Sequence, residues 1–350
     1  MSPRDARDRY LSRRQVDATP KSIDGRYYRL KLFVEWTESI DIETVGQLHA
    51  LDLDDYYDLR SAEVVGSTLE GEMTTLKQFV GWLEDLGALK DGLAASVRIP
   101  DLDPEDRSSD KKLHAQEALP LLAHYRRTPS LRTRRAHAFL ELAWSTGARQ
   151  GGLRALDIRD VETGKAPYVE FHHRPETGTP LKNKRRGERP VEIPCETAAV
   201  LEEYTAGDRY AVHDEHGRQP LLASAKGRPT SNTVRVWSYL ATQPCLRTMC
   251  PHGWERESCR RTEYPHASKC PSSRSPHQIR TGAIAHLLNI GWPPEDVAER
   301  VNAQVKTIEQ HYDKAAPEER FRRLRERMET RRRHLITDLD PTETTHEPAE

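Results

Sequence analysis

No run of residues in this chain is apolar enough to span a bilayer. Its first thirty residues are rich in charge and lack the apolar centre of an export signal. The expectation is a cytoplasmic protein with no membrane partner. Cysteine is scarce, with five in 350 residues. In a reducing compartment those thiols are free or metal-bound rather than paired in disulfides. Net charge is also scarce, at -1, but that figure hides a division. Residues 1–110 carry 14 Lys and Arg against 23 Asp and Glu, a balance of -9. Residues 111–335 carry 40 against 27, a balance of +13, and the last fifteen residues carry five acids and no base. A segment at +13 attracts a polyanion, so near-neutrality of the whole chain does not exclude nucleic acid.

The length predicts two domains. Over 24–38, Tyr27, Leu30, Phe33 and Val34 recur at helical spacing. A second helix is expected near 44–60. A third is expected near 67–87, where Leu69, Met73, Leu76, Phe79, Val80 and Leu83 form one apolar stripe. These make a small all-α domain over 1–95. Residues 96–112 (SVRIPDLDPEDRSSDKK) are polar and aperiodic and read as a linker. A second domain follows over 113–335. Helices are expected at 114–126, 131–146, 195–206, 229–241, 277–290, 294–302, 304–312 and 316–334. Alternating strands are expected at 167–173 and 188–194, joined by a basic loop. The acidic tail 336–350 has the composition of a disordered segment.

Four features bear on chemistry. In SPHQIR, His277 and Arg280 are three residues apart, which places both on one face of a helical first turn, where exposed N–H groups favour an anion. In STGARQGGL, Arg149 lies on a Gly-containing turn after an apolar helix, set to hold a phosphate bidentately. The loop PLKNKRRGER offers Lys182, Lys184, Arg185 and Arg186 before Arg189. Tyr312 stands 32 residues after Arg280. Each alone is matched by an ordinary surface or packing role. Their occurrence together, in this order, is specific.

The ordered set resembles the tyrosine recombinases, the phage integrases and Xer-type recombinases, and its details look archaeal integrase-like. The shared motifs are TGAR, the basic hairpin, HQIR followed by AIAHLLNIG, and the terminal tyrosine. The resemblance implies a mostly α fold: a helical core-binding domain and a mixed α/β catalytic domain with a small antiparallel sheet. It implies Arg149, Lys182, His277, Arg280 and Tyr312 as catalytic residues of a site-specific recombinase or integrase. Tyr312 would form a 3′-phosphotyrosine, the two arginines and His277 would stabilise the phosphorane, and a hairpin lysine, Lys182 in preference to Lys184, would protonate the leaving oxygen. The implied partners are double-stranded DNA and further copies of the chain, as a dimer or tetramer on DNA, with neither ATP nor a catalytic metal. Two positions depart from the pattern: Ala303 stands where the family has His or Trp, and Gly152 where it has an acid. They favour the alternative of a DNA-binding protein that kept the fold and lost activity. A type IB topoisomerase would share the chemistry.

Cys245, Cys250, Cys259 and Cys270 crowd into a stretch of low apolar content, 244–271. A structural Zn²⁺ on four thiolates is expected there, with His252 or His266 as possible replacements for one of them. Cys195 is isolated and is expected to be a small buried residue.

Overall fold

The computed structural model describes residues 1–103 and 110–311, with isolated positions at 321, 324, 325, 328 and 332. The chain divides into two compact units, Met1–Ser109 and Asp110–Glu350. Within the first, α1 (Pro3–Arg14), α2 (Pro20–Ser39), α3 (Ala50–Glu63) and α4 (Gly66–Asp85) surround one apolar core. The stripe expected on α4 is its buried face, with Met73, Phe79, Val80 and Leu83 fully enclosed. Leu30, Phe33 and Val34 of α2 and Leu53 and Tyr56 of α3 close over it. Helix α1 escaped the apolar pattern because only Ala6, Tyr10 and Leu11 face the core. Its start is nonetheless marked: the Ser2 hydroxyl accepts from the Asp5 N–H, and Pro3 occupies the first turn. The helix expected at 44–60 is two pieces. A 3₁₀ turn, Val45–Gln47, precedes α3, whose Asp52 carboxylate accepts from the His49 N–H at 2.7 Å.

The second unit is built around α7 (Arg135–Thr146), in which Phe139, Leu140 and Leu142 are wholly buried. It follows α5 (Ala115–Arg127) and the single turn α6 (Pro129–Arg132), which interrupts the helix expected from 131. After the short α8 (Gln150–Ala155) comes an antiparallel sheet in the order β1-β2-β3: β1 (Val161–Glu162), β2 (Tyr168–Phe171) and β3 (Arg189–Glu192). Phe171 pairs with Arg189 and Val169 with Val191. Helices α9 (Cys195–Ala206), α10 (Ser231–Ala241) and α11 (Pro276–Asn289) complete the wall around α7. Against the far end of α11, α12 (Pro294–Val301) and α13 (Val305–His311) bury Val297, Val301 and Ile308 with Ile284 and Leu288. Cys195 is exposed at the start of α9, because a first-turn position there faces solvent. The helix expected at 316–334 and the tail at 336–350 lie almost wholly outside the described residues. Among the described residues no helix is long and apolar enough to cross a membrane.

Candidate active site

The α7 helix ends at Gly147, whose φ of 57° turns the chain into the left-handed region, and Arg149 then caps α8. A side chain at Gly147 would be strained, and its Cβ would stand 3.0 Å from Val301. The TGAR motif is therefore the sequence of a tight helix-to-helix turn. Arg280, from the second turn of α11, runs beneath it. It is buried and donates through Nη1 to the Gly147 carbonyl at 2.6 Å and to the Val301 carbonyl at 2.9 Å. Arg149 Nη1 donates to the Asn302 carbonyl at 2.6 Å. Arg189, stacked 4.6 Å from the Phe171 ring, donates through Nε to the Arg300 carbonyl at 2.7 Å.

Three guanidiniums thus rest on three consecutive carbonyls, 300, 301 and 302, at the C-terminal end of α12. A helix C-terminus carries unsatisfied carbonyls and partial negative charge, which suits cations. The arginines lie close enough to act on one another. Burial, then the charges of Arg280, Arg149 and Arg300, push the Arg189 pKa down to about 10.

His277 opens α11. Pro276 supplies the first helical position, and Ser275 and Gln278 form a reciprocal capping box, with the Ser275 N–H on Gln278 Oε1 at 2.8 Å. The imidazole remains accessible to solvent, while partial desolvation lowers its pKa below the usual 6.5. The charges of Arg280, Arg149 and Lys182 lower it further. All three cations are therefore felt at one imidazole. Lys182 and Lys184 are both exposed on the basic loop.

The basic loop joins β2 to β3. Its basic side chains are exposed, but the loop is anchored. Leu181 is buried, its N–H donates to His173 Nδ1 at 3.0 Å, and the His173 N–H donates to Glu188 at 2.9 Å. Beneath it, buried Asp157 accepts from Arg174 and Arg218, and Asp160 accepts from Arg174 at 2.6 Å. These bonds fix the frame from which Lys182 projects.

Tyr312 lies outside the described residues; α13 runs to the residue before it. At Gly152, where the family pattern has an acid, a Cβ would stand 3.2 Å from the Phe171 ring, so the aromatic occupies that space. Arg189 and Asn302 were not singled out in the sequence. Arg189 shares a strand face with Val191 and Ile193, and that alternation is the signal that it points inward.

The four cysteines of 244–271 are separate thiols, Cys270 buried and the others half-buried. Among the described residues no three His, Cys, Asp or Glu side chains are grouped to hold a metal ion. Cys245 Sγ accepts from Arg256 at 3.0 Å, His252 pairs with Ser272, and His266 with Arg260. As folded, this donor set does not fit a four-thiolate shell.

A scan against protein families finds no match, and neither does a search of curated proteins. Solved structures do match. The Tn1549 transposon integrase bound to circular-intermediate DNA aligns over 94% of this chain and 99% of its own, at 12% identity and a TM-score of 0.64. The lambda integrase dimer on a COC′ core site aligns over 91% and 100%, at 14% identity and a TM-score of 0.59. The N-terminal domain of a phage integrase/site-specific recombinase from Haloarcula marismortui is 44% identical over 29% of this chain and 97% of its own, with a TM-score of 0.28.

Proposed function

On the fold that this chain shares with the solved integrases, we propose that it is a tyrosine recombinase that cleaves and rejoins DNA strands at specific sites through a 3′-phosphotyrosine intermediate. The observation that carries the reading is that Arg149 and Arg280 rest on the adjacent carbonyls of Asn302 and Val301, with the Lys182 loop tied to the same Asn302 through Asn183. In the proposed reaction the Tyr312 oxygen attacks the scissile phosphorus in line, and the P–O bond to the 5′ oxygen breaks. Arg149 and Arg280 hold the non-bridging oxygens as charge builds on them, and His277 adds a hydrogen bond. Lys182 gives its proton to the departing 5′ oxygen. The phosphotyrosine conserves the energy of the broken ester, so rejoining requires no ATP. Double-stranded DNA is the proposed partner, bound by more than one copy of the chain.

A nicked suicide substrate, from which the cut fragment diffuses away, traps the intermediate. The expected result is a covalent protein–DNA band on a denaturing gel with the natural chain, and none with Tyr312→Phe, which still binds DNA. An adduct that persists in Tyr312→Phe would sink the assignment of the nucleophile. DNA binding without any adduct would instead establish the non-catalytic reading, which Ala303 favours.

A further inference from the structure

Asn302 makes two bonds to two different parts of the site. It closes α12 with φ 51° and ψ 65°, in the left-handed region that non-glycine residues other than Asn and Asp seldom adopt. That turn aims its carbonyl at Arg149. Its side-chain Oδ1 accepts from Asn183 Nδ2 at 2.7 Å. Asn183 directly follows Lys182 in the basic loop. The loop approaches this closely because residue 187 is glycine. A Cβ there would stand 2.7 Å from Asn302 Nδ2 and 3.3 Å from the Leu181 side chain. Asn302 is thus the point at which the lysine-bearing loop is tied to the arginine-bearing turn. A glycine at 302 would adopt the same backbone as readily, but would leave Asn183 without this bond.

We propose that Asn302 is a positioning residue, which holds the Lys182 loop within reach of the leaving oxygen through its side-chain bond to Asn183. The inference rests on the recombinase reading and adds a residue to it. It makes a specific demand: loss of the bond should impair protonation of the leaving group and spare the phosphate clamp.

Two suicide substrates separate those effects, one with the natural scissile phosphodiester and one with sulfur replacing its 5′ bridging oxygen. A thiolate departs without a proton, so only the natural ester needs the lysine. Asn302→Gly keeps the left-handed turn and the carbonyl bond to Arg149 and removes only the side-chain bond. Asn183→Ala, at an exposed loop position, removes the same bond from the other side. Each variant should slow cleavage of the natural ester by about tenfold, part of the 10²–10⁴ that a positioned acid supplies. Each should cleave the sulfur substrate at the wild-type rate. The double variant should be no slower than either single one, because both remove one shared interaction. Equal slowing on both substrates would overturn the proposal, since Asn302 would then act through the arginine turn or the fold. An unchanged rate on the natural ester would overturn it as well, with the recombinase reading intact. No adduct from the wild-type chain on either substrate would bring down the recombinase reading and this inference with it.

Discussion

His277 sits among like charges, and that fixes the sign of its behaviour. Its neutral form is favoured by partial desolvation and by Arg280, Arg149 and Lys182. The folded pKa lies below the unfolded one, so the stabilising contribution is complete above pH 6.5 and is lost as pH falls through the folded value. Lys182→Ala removes one of the repelling charges and should raise the His277 pKa, as read by NMR titration of the ring without DNA. An unchanged value would mean that the lysine is not near the imidazole. Arg149→Ala and Arg280→Ala should each slow cleavage by on the order of 3–4 kcal/mol of barrier, the cost of one lost donor to a developing anion. Their effects on folding should differ. Arg280 also satisfies the buried carbonyls of Gly147 and Val301, and leaving such a group buried without a partner costs about 1–3 kcal/mol. Arg280→Ala should therefore melt well below the natural chain and Arg149→Ala close to it. At this scale TGAR and HQIR were legible because each is a short motif with fixed internal spacing, although the bonds of Arg149 and Arg280 reach carbonyls 153 and 133 residues away. Arg189 and Asn302 belong to no such motif, and their bonds, 111 residues apart for Arg189–Arg300 and 119 for Asn183–Asn302, leave no local trace.

Among the elements, the sequence revealed long periodic helices and concealed short or highly charged ones. Helix α9 begins and ends where its pattern predicts, whereas α1 hides its three core residues among charges. The segment 244–271 shows the same boundary. Its cysteine spacing suggested a metal, because little apolar side chain was available to hold it. The structure supplies other bonds: Gln243 Nε2 donates to the Arg261 carbonyl at 2.7 Å, and the Arg261 guanidinium lies 3.7 Å from the Trp254 ring centre. Polar and cation–π contacts of this kind have no periodic signature in a sequence. The measurement is elemental analysis beside a thiol titration. The fold as described predicts no stoichiometric zinc, with Cys270 reacting more slowly than Cys245, Cys250 and Cys259 because it is buried. One zinc per chain, lost in Cys259→Ser, would show that the thiols converge and would restore the four-cysteine shell.

For the molecule as a whole, the charge division sets the terms of any encounter with DNA. The balance of +13 over residues 111–335 belongs to the unit that holds the arginine cluster, while the -9 over 1–110 belongs largely to the other. Attraction to a polyanion is therefore concentrated on one unit, and net charge is a poor guide to it. Part of that positive charge is spent internally: Arg174, Arg218 and Arg228 pair with Asp157, Asp160 and Asp214. Arginines with such partners add little to binding, so the effective charge is carried by side chains such as Arg185 and Arg186, which are exposed on the basic loop. Each phosphate contact that displaces a counterion adds about 0.9 to the slope of log affinity against log salt. Replacing Arg185 and Arg186 together by alanine should flatten that slope by up to about 1.8 if both touch phosphate. The fold should be undisturbed, because Leu181 and the His173–Glu188 bond, which anchor the loop, are retained. Affinity measured across a series of potassium chloride concentrations gives both slopes. An unchanged slope would mean that this loop stands clear of the DNA backbone, and the +13 would then have to act through the arginine-bearing helices instead.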